Sequence, residues 1–127
     1  MTRILATLSA SALVLLLTQP ATAAPTADDA KALVIKAAEV LKADGLEKAC
    51  PIFGDHKGDF WKENGELYVF VIKFDGAWDC YPPSPASVGT NILRLKDIEG
   101  KEFVKEMVDV AKTKGEGWVE YQWKNPT

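Results

Sequence analysis

Few residues in this chain are of types that do chemistry, and their spacing points to binding rather than turnover. His56 is the only histidine, and it sits beside Asp55 in a polar stretch with no second base or metal ligand near it in sequence. A catalytic or metal role needs convergent partners, so a surface histidine is the expectation. There is no Gly-x-Ser-x-Gly elbow, no His-Glu-x-x-His pair and no Cys-x-x-Cys-His. Cys50 and Cys80 stand too far apart for a redox Cys-x-x-Cys. Carboxylates are plentiful, but no spacing singles out an acid and base pair; most belong on solvated faces. Asp75-Gly76 and Asp97-x-Glu99-Gly100 lack the alternating acids and the closing glutamate of a calcium loop and read as turns. No catalytic residue, metal or cofactor is therefore expected.

Two kinds of side chain remain as candidates. Arg94 is the only arginine besides Arg3, among thirteen lysines. Its planar fork suits a carboxylate; the alternative is a surface arginine paired with a nearby acid. Tyr68, Phe70, Trp78, Tyr81, Trp118, Tyr121 and Trp123 supply aromatic surface, most of it expected in the core. Tyrosine hydroxyls need polar partners when buried, which makes the tyrosines the better pocket candidates. Trp61 would cap such a pocket from a mobile loop.

The elements that position these residues follow from periodicity. Arg3, the apolar run from Ile4 to Leu17, and Ala21-Thr22-Ala23 form a secretory signal, cut after Ala23. An uncleaved anchor is the alternative, but the run falls short of the ~20 residues a bilayer requires. Residues 24–127 are then one domain. Thr26 and Asp29 form a capping box ahead of a helix whose stripe is Ala30, Leu33, Val34, Ala37, Ala38 and Leu41, ending at Gly45. A short helical turn carries Leu46, Ala49 and Cys50, limited by Pro51. Residues 54–65 are a polar connection, with a turn at Asn64-Gly65.

The longest β-favouring run, Leu67 to Phe74, is turned by Asp75-Gly76 and returns through Ala77 to Tyr81. A two-residue loop without a bulge pairs Phe74 with Ala77, Lys73 with Trp78, Ile72 with Asp79, Val71 with Cys80, and Phe70 with Tyr81. One face then holds Tyr68, Phe70, Ile72, Phe74 and Tyr81; the other holds Leu67, Val69, Val71, Trp78 and Cys80. A one-residue slip would reverse this. The run Tyr81-Pro82-Pro83-Ser84-Pro85 is a stiff loop. A helix from Lys101 to Lys114 buries Phe103, Val104, Met107, Val108 and Ala111, and an alternating strand runs from Trp118 to Trp123. The order gives an α+β domain, with helices against an antiparallel sheet.

Fifteen basic and 18 acidic side chains, less Arg3, leave a net charge of −4. The basic residues are scattered, so nucleic acid is not an expected partner. No second apolar span follows the signal. In an oxidising compartment, Cys50 and Cys80 would form a disulfide worth roughly 3 kcal/mol by loop closure; two free buried thiols are the alternative. If the bond forms, the helices cover the Cys80 face and leave the aromatic face for loops and a ligand.

Several segments, in order, resemble a Cache domain of the single-Cache type, the extracytoplasmic sensor module of bacterial receptors. They are Gly65-Glu66-Leu67-Tyr68-Val69-Phe70-Val71, Asp75-Gly76, Pro82, Val88-Gly89-Thr90-Asn91, the stretch from Leu95 to Met107, and Gly117 to Trp123 with Asn125-Pro126. The resemblance implies a PAS-like fold with a long helix behind an antiparallel sheet and a small-molecule pocket on the other face. It implies a small carboxylate, amino acid or related metabolite as ligand, adds Tyr121 to Tyr68, Phe70 and Tyr81, and places Arg94 on a pocket wall. The family pattern continues past the Asn-Pro, whereas this sequence stops at Thr127, leaving the last strand with an open edge.

Three readings result. The leading one is a periplasmic or secreted small-molecule-binding protein that catalyses nothing. The second is an interaction protein whose Trp118 to Trp123 edge takes a partner strand or a second copy. The third, an enzyme, lacks any nucleophile, base and orienter set.

Overall fold

The computed structural model describes residues 23–124. The expected signal segment, apart from Ala23, and Asn125-Pro126 lie outside the described residues. Thr26 and Asp29 form the capping box. The Asp29 N–H donates to the Thr26 hydroxyl at 3.2 Å, and the Thr26 N–H donates to the Asp29 carboxylate at 2.8 Å. Two orphan donors of the first turn are thereby satisfied. Helix α1 runs Ala27–Asp44 and stops at Gly45. It buries Leu33 and Ala37, whereas Val34, expected in the stripe, is 57% exposed.

Helix α2, Leu46–Phe53, continues through Pro51 instead of ending there. Proline removes one N–H and crowds the preceding turn. Here it sits in the last turn, two residues before the end, so a single backbone bond is forgone. Ala49 and Phe53 face inward.

Part of the expected polar connection is a strand. β1 (Trp61–Lys62) pairs antiparallel with β2 (Leu67–Tyr68), Trp61 opposite Tyr68. The link between them bends through left-handed Glu63, Asn64 and Gly65, in keeping with the Asn-Gly turn. Trp61 is therefore no mobile cap. It is buried, stacked on His56 at 4.0 Å and packed against Tyr68.

The central hairpin joins β3 (Val71–Ile72) to β4 (Trp78–Cys80) with two departures that offset each other. The loop has three residues rather than two. The Gly76 N–H donates to the Lys73 carbonyl, and the Lys73 N–H donates to the Ala77 carbonyl, both at 2.9 Å. The Asp75 carboxylate takes the Ala77 N–H, and Gly76 supplies the left-handed conformation that such loops need. The longer loop places Trp78 opposite Ile72. Asp79 is then a bulge, which restores Val71 opposite Cys80. Trp78 consequently belongs to the face of Phe70, Ile72 and Tyr81, not to the Cys80 face. Phe74, at the loop, is 61% exposed.

Residues 89–92 lie along the free side of β4. The Trp78 N–H donates to the Thr90 carbonyl at 3.0 Å. The Gly89 N–H donates to the Trp78 carbonyl and the Ile92 N–H to the Gly76 carbonyl, both at 2.8 Å.

The hairpin lies between two apolar layers. On one side Leu33, Ala37, Ala49, Phe53 and Phe60 pack over Val69 and Cys80. The Cys50–Cys80 disulfide, with Cα atoms 5.8 Å apart, ties α2 to β4 there. On the other side helix α3, Phe103–Lys114, sets Phe103 and Val104 against Trp78 and Ile92. This is an α+β fold with small antiparallel sheets, and the aromatic face is covered rather than open.

The final element differs from expectation. Residues 118–123 form no strand. The alternation is present, but the backbone is held by a side chain instead of a ladder. Asp97, only 6% exposed, accepts the Glu99 and Lys101 N–H groups on one carboxylate oxygen and the Gln122 N–H on the other, each at 2.9 Å. The Ile98 N–H donates to the Gln122 carbonyl at 3.4 Å, and the Lys101 ammonium to the Glu120 carbonyl at 2.6 Å.

Candidate ligand site

The aromatic side chains converge on the covered face of the hairpin. Trp78 and Tyr81 stack on each other at 4.0 Å, because the bulge at Asp79 turns both to one side. Phe70 meets Trp78 edge to face at 5.4 Å, and Tyr68 lies beyond it. The opposite wall comes from α3 and the segment after it. Phe103 stacks on Tyr121 at 4.3 Å, with Trp123 tilted against the same ring. These seven residues line a cavity of about 10 Å³, the space of a single water. Every one of them is uncharged.

Three tyrosine hydroxyls give this apolar cage its polarity. Burial raises the Tyr68 phenol well above its ordinary value, and the neighbouring Tyr81, then Tyr121, push it further in the same direction. Burial likewise raises Tyr121, with Tyr81 adding to it. Tyr68 and Tyr121 remain protonated at neutral pH, each a donor as well as an acceptor.

Of the residues expected to form a pocket, the structure brings Tyr68, Phe70, Tyr81 and Tyr121 together. Arg94 is exposed, on the segment after residues 89–92, and is not among the cavity residues. Trp78 and Phe103 belong to the cage although the sequence reading placed the first on the opposite face and treated the second as helix core. The Asp79 bulge has no sequence signature, so Trp78 was not recoverable. Asp97 was read only as a turn residue. Its carboxyl is held below the usual range, first by the Gln122 N–H and then by the Lys101 N–H. It anchors the segment that carries Tyr121 and Trp123.

Two larger hollows lie elsewhere. One of about 390 Å³ runs beside α1 and β1, where Lys36 and Lys62 already pair with Asp59 at 3.0 and 3.8 Å. The other, about 630 Å³, is an open apolar groove between α2 and the proline-rich loop, with Glu47 and Asp79 on its rim. In the first the charged groups are engaged with one another, and the second is mostly apolar. Among the described residues no helix is long and apolar enough to cross a membrane.

The model of the Cache domain family matches residues 60–127, which span the hairpin, the whole aromatic cage and α3. Neither a curated protein nor a solved structure matches the chain.

Proposed function

The chain belongs to the Cache domain family, and from that premise we propose that it is an exported, periplasmic, non-catalytic module that binds a small metabolite in the aromatic cage. Cache domains are generally extracellular sensor domains that bind small molecules. The observation that carries the reading here is the convergence of Tyr68, Tyr81 and Tyr121 inside a ring-lined cavity on the sheet face opposite the disulfide. Ring faces give a ligand apolar contact, and phenol hydroxyls give it orientation, the usual composition of a small-molecule site. The resemblance implies a small organic acid as the ligand class. Arg94, the residue expected to hold a carboxylate, lies outside the cage, and none of the lining residues replaces it.

The chain's own Tyr121 and Trp123 line one side of the cavity, which has room for about one water. A larger metabolite needs a wall to move, and the wall outside regular elements is the segment held by Asp97. The reading thus couples binding to the position of the C-terminal segment, the coupling a sensor-type module requires.

A thermal-shift screen of the oxidised protein with carboxylates, amino acids, amines and sugars tests it. A ligand at 100 times its Kd stabilises by about 2.7 kcal/mol, enough to move Tm by several degrees. The expected hit is weakened in Tyr121→Leu and unchanged in Arg94→Ala. A folded protein that no metabolite stabilises, or a hit lost in Arg94→Ala alone, would remove the cage from the account. The rival interaction reading, a pocket filled by side chains with a free strand edge as its surface, keeps the filled cage but loses the edge, because residues 118–123 form no strand and Gln122 uses both its backbone groups within the chain.

A further inference from the structure

We propose that the cage is built for an organic cation, a methylated ammonium group, rather than for a carboxylate. This rests on the small-molecule reading above and names the ligand class of that same site.

The lining decides the sign of the charge. It contains aromatic rings and phenol oxygens and not one lysine or arginine. A carboxylate drawn into it would lose its hydration and meet no cation, which is costly even with hydroxyl donors present. A quaternary ammonium is weakly hydrated, needs no hydrogen-bond acceptor, and is attracted to the negative face of each ring. The lining holds two stacked pairs, Trp78 on Tyr81 from the hairpin and Phe103 on Tyr121 from α3 and the segment after it, with Phe70 edge to face against Trp78.

Burial raises the Tyr68 and Tyr121 phenols, with Tyr81 adding to both, so neither supplies a charge to pair with an ion. At about 10 Å³ the cavity is too small for a trimethylammonium group. Its admission therefore displaces the wall that is not built on a regular element, Tyr121 and Trp123 in the segment tethered at Gln122 to Asp97.

The test is calorimetric titration of the oxidised full chain with choline, with its neutral isostere 3,3-dimethylbutan-1-ol, and with succinate. Choline is expected to bind at least about tenfold more tightly than the isostere, which corresponds to 1.4 kcal/mol of charge-dependent attraction to the rings. Tyr68→Phe keeps the ring and is expected to retain choline affinity within about threefold, whereas Tyr121→Leu removes a π face and loses about tenfold or more. Should Tyr121→Leu fail to fold, the isostere comparison and Tyr68→Phe still decide. Equal binding of isostere and choline would overturn the proposal. Binding of succinate in place of choline would also overturn it while leaving the metabolite-binding reading intact. Silence of all three probes against a folded protein overturns the cation assignment, and the wider metabolite screen then decides the reading beneath it.

Discussion

Gly76 is where hairpin, loop and neighbouring segment meet, and replacing it tests whether the three-residue loop and the row at residues 89–92 are real. Gly76 has φ +94°, and a Cβ built there would lie 2.5 Å from the Leu93 Cβ, 3.0 Å from its Cα and 3.1 Å from its backbone nitrogen. Two costs act on Gly76→Ala. The left-handed backbone costs an L-residue roughly 1–2 kcal/mol. The overlap falls on backbone and a first side-chain carbon, not on a flexible tip, and overpacking of that kind typically costs about 1–3 kcal/mol more. Gly100→Ala separates the two costs. Its φ is +86°, and nothing lies within 4 Å of the added carbon. Urea unfolding followed by tryptophan fluorescence is expected to show about 1–2 kcal/mol lost in Gly100→Ala and about 2–5 in Gly76→Ala, with unchanged m. Equal losses in the two variants would mean that Leu93 does not press on the hairpin loop, and the placement of residues 89–92 would be refuted.

Two further predictions concern the ties that hold the layers. Breaking the Cys50–Cys80 bond by reduction or by Cys50→Ala with Cys80→Ala opens a loop of sequence separation 30 and should cost roughly 3–4 kcal/mol; a fall below about 1 kcal/mol in urea unfolding would contradict its structural role. The Asp97 carboxyl titrates below its ordinary value because backbone N–H groups stabilise its charge, so its contribution is full above about pH 4 and is lost as pH falls through the lower folded value. Asp97→Asn turns one acceptor oxygen into a donor. It should flatten that acid limb in part, since Asp29 titrates in the same direction. At neutral pH it should speed amide exchange at Gln122, and unchanged exchange there would show that the carboxylate does not hold the segment.

The sequence read well where local chemistry acts alone. Thr26 and Asp29 announced the start of α1 because a capping box is complete within four residues. Gly45 and Gly115 marked helix ends for the same reason, since each supplies a left-handed conformation. The Cys50–Cys80 pair was legible from an even count behind an expected signal segment. What failed was set at a distance. Asp75-Gly76 was recognised as a turn, but Asp75 accepting the Ala77 N–H recruits Phe74 into the loop, and only the Asp79 bulge keeps Val71 beside Cys80. Neither event leaves a pattern in the residues, so Trp78 was put on the wrong face.

The alternation from Trp118 to Trp123 was real, but a strand needs a partner ladder, and the partner here is the Asp97 carboxylate. Tyr68 and Tyr81, expected on one face, and Tyr121, added by the resemblance, do come together in the structure. Arg94 was chosen for its chemistry and is exposed, since residue type alone says nothing about which side of a loop faces the cage.

The central claim is that a metabolite occupies the space between Trp78 and Trp123. The chain's four tryptophans allow one spectrum to address it. Trp78 and Trp123 line the cage, whereas Trp61 is buried against His56 and Trp118 is exposed away from it. Indole N–H resonances of nitrogen-15-labelled protein, recorded with and without a stabilising ligand, should shift most for Trp78 and Trp123, less for Trp61, which packs on the cage residue Tyr68, and stay in place for Trp118. Shifts confined to Trp61 or Trp118, with Trp78 and Trp123 unmoved at saturation, would contradict the account.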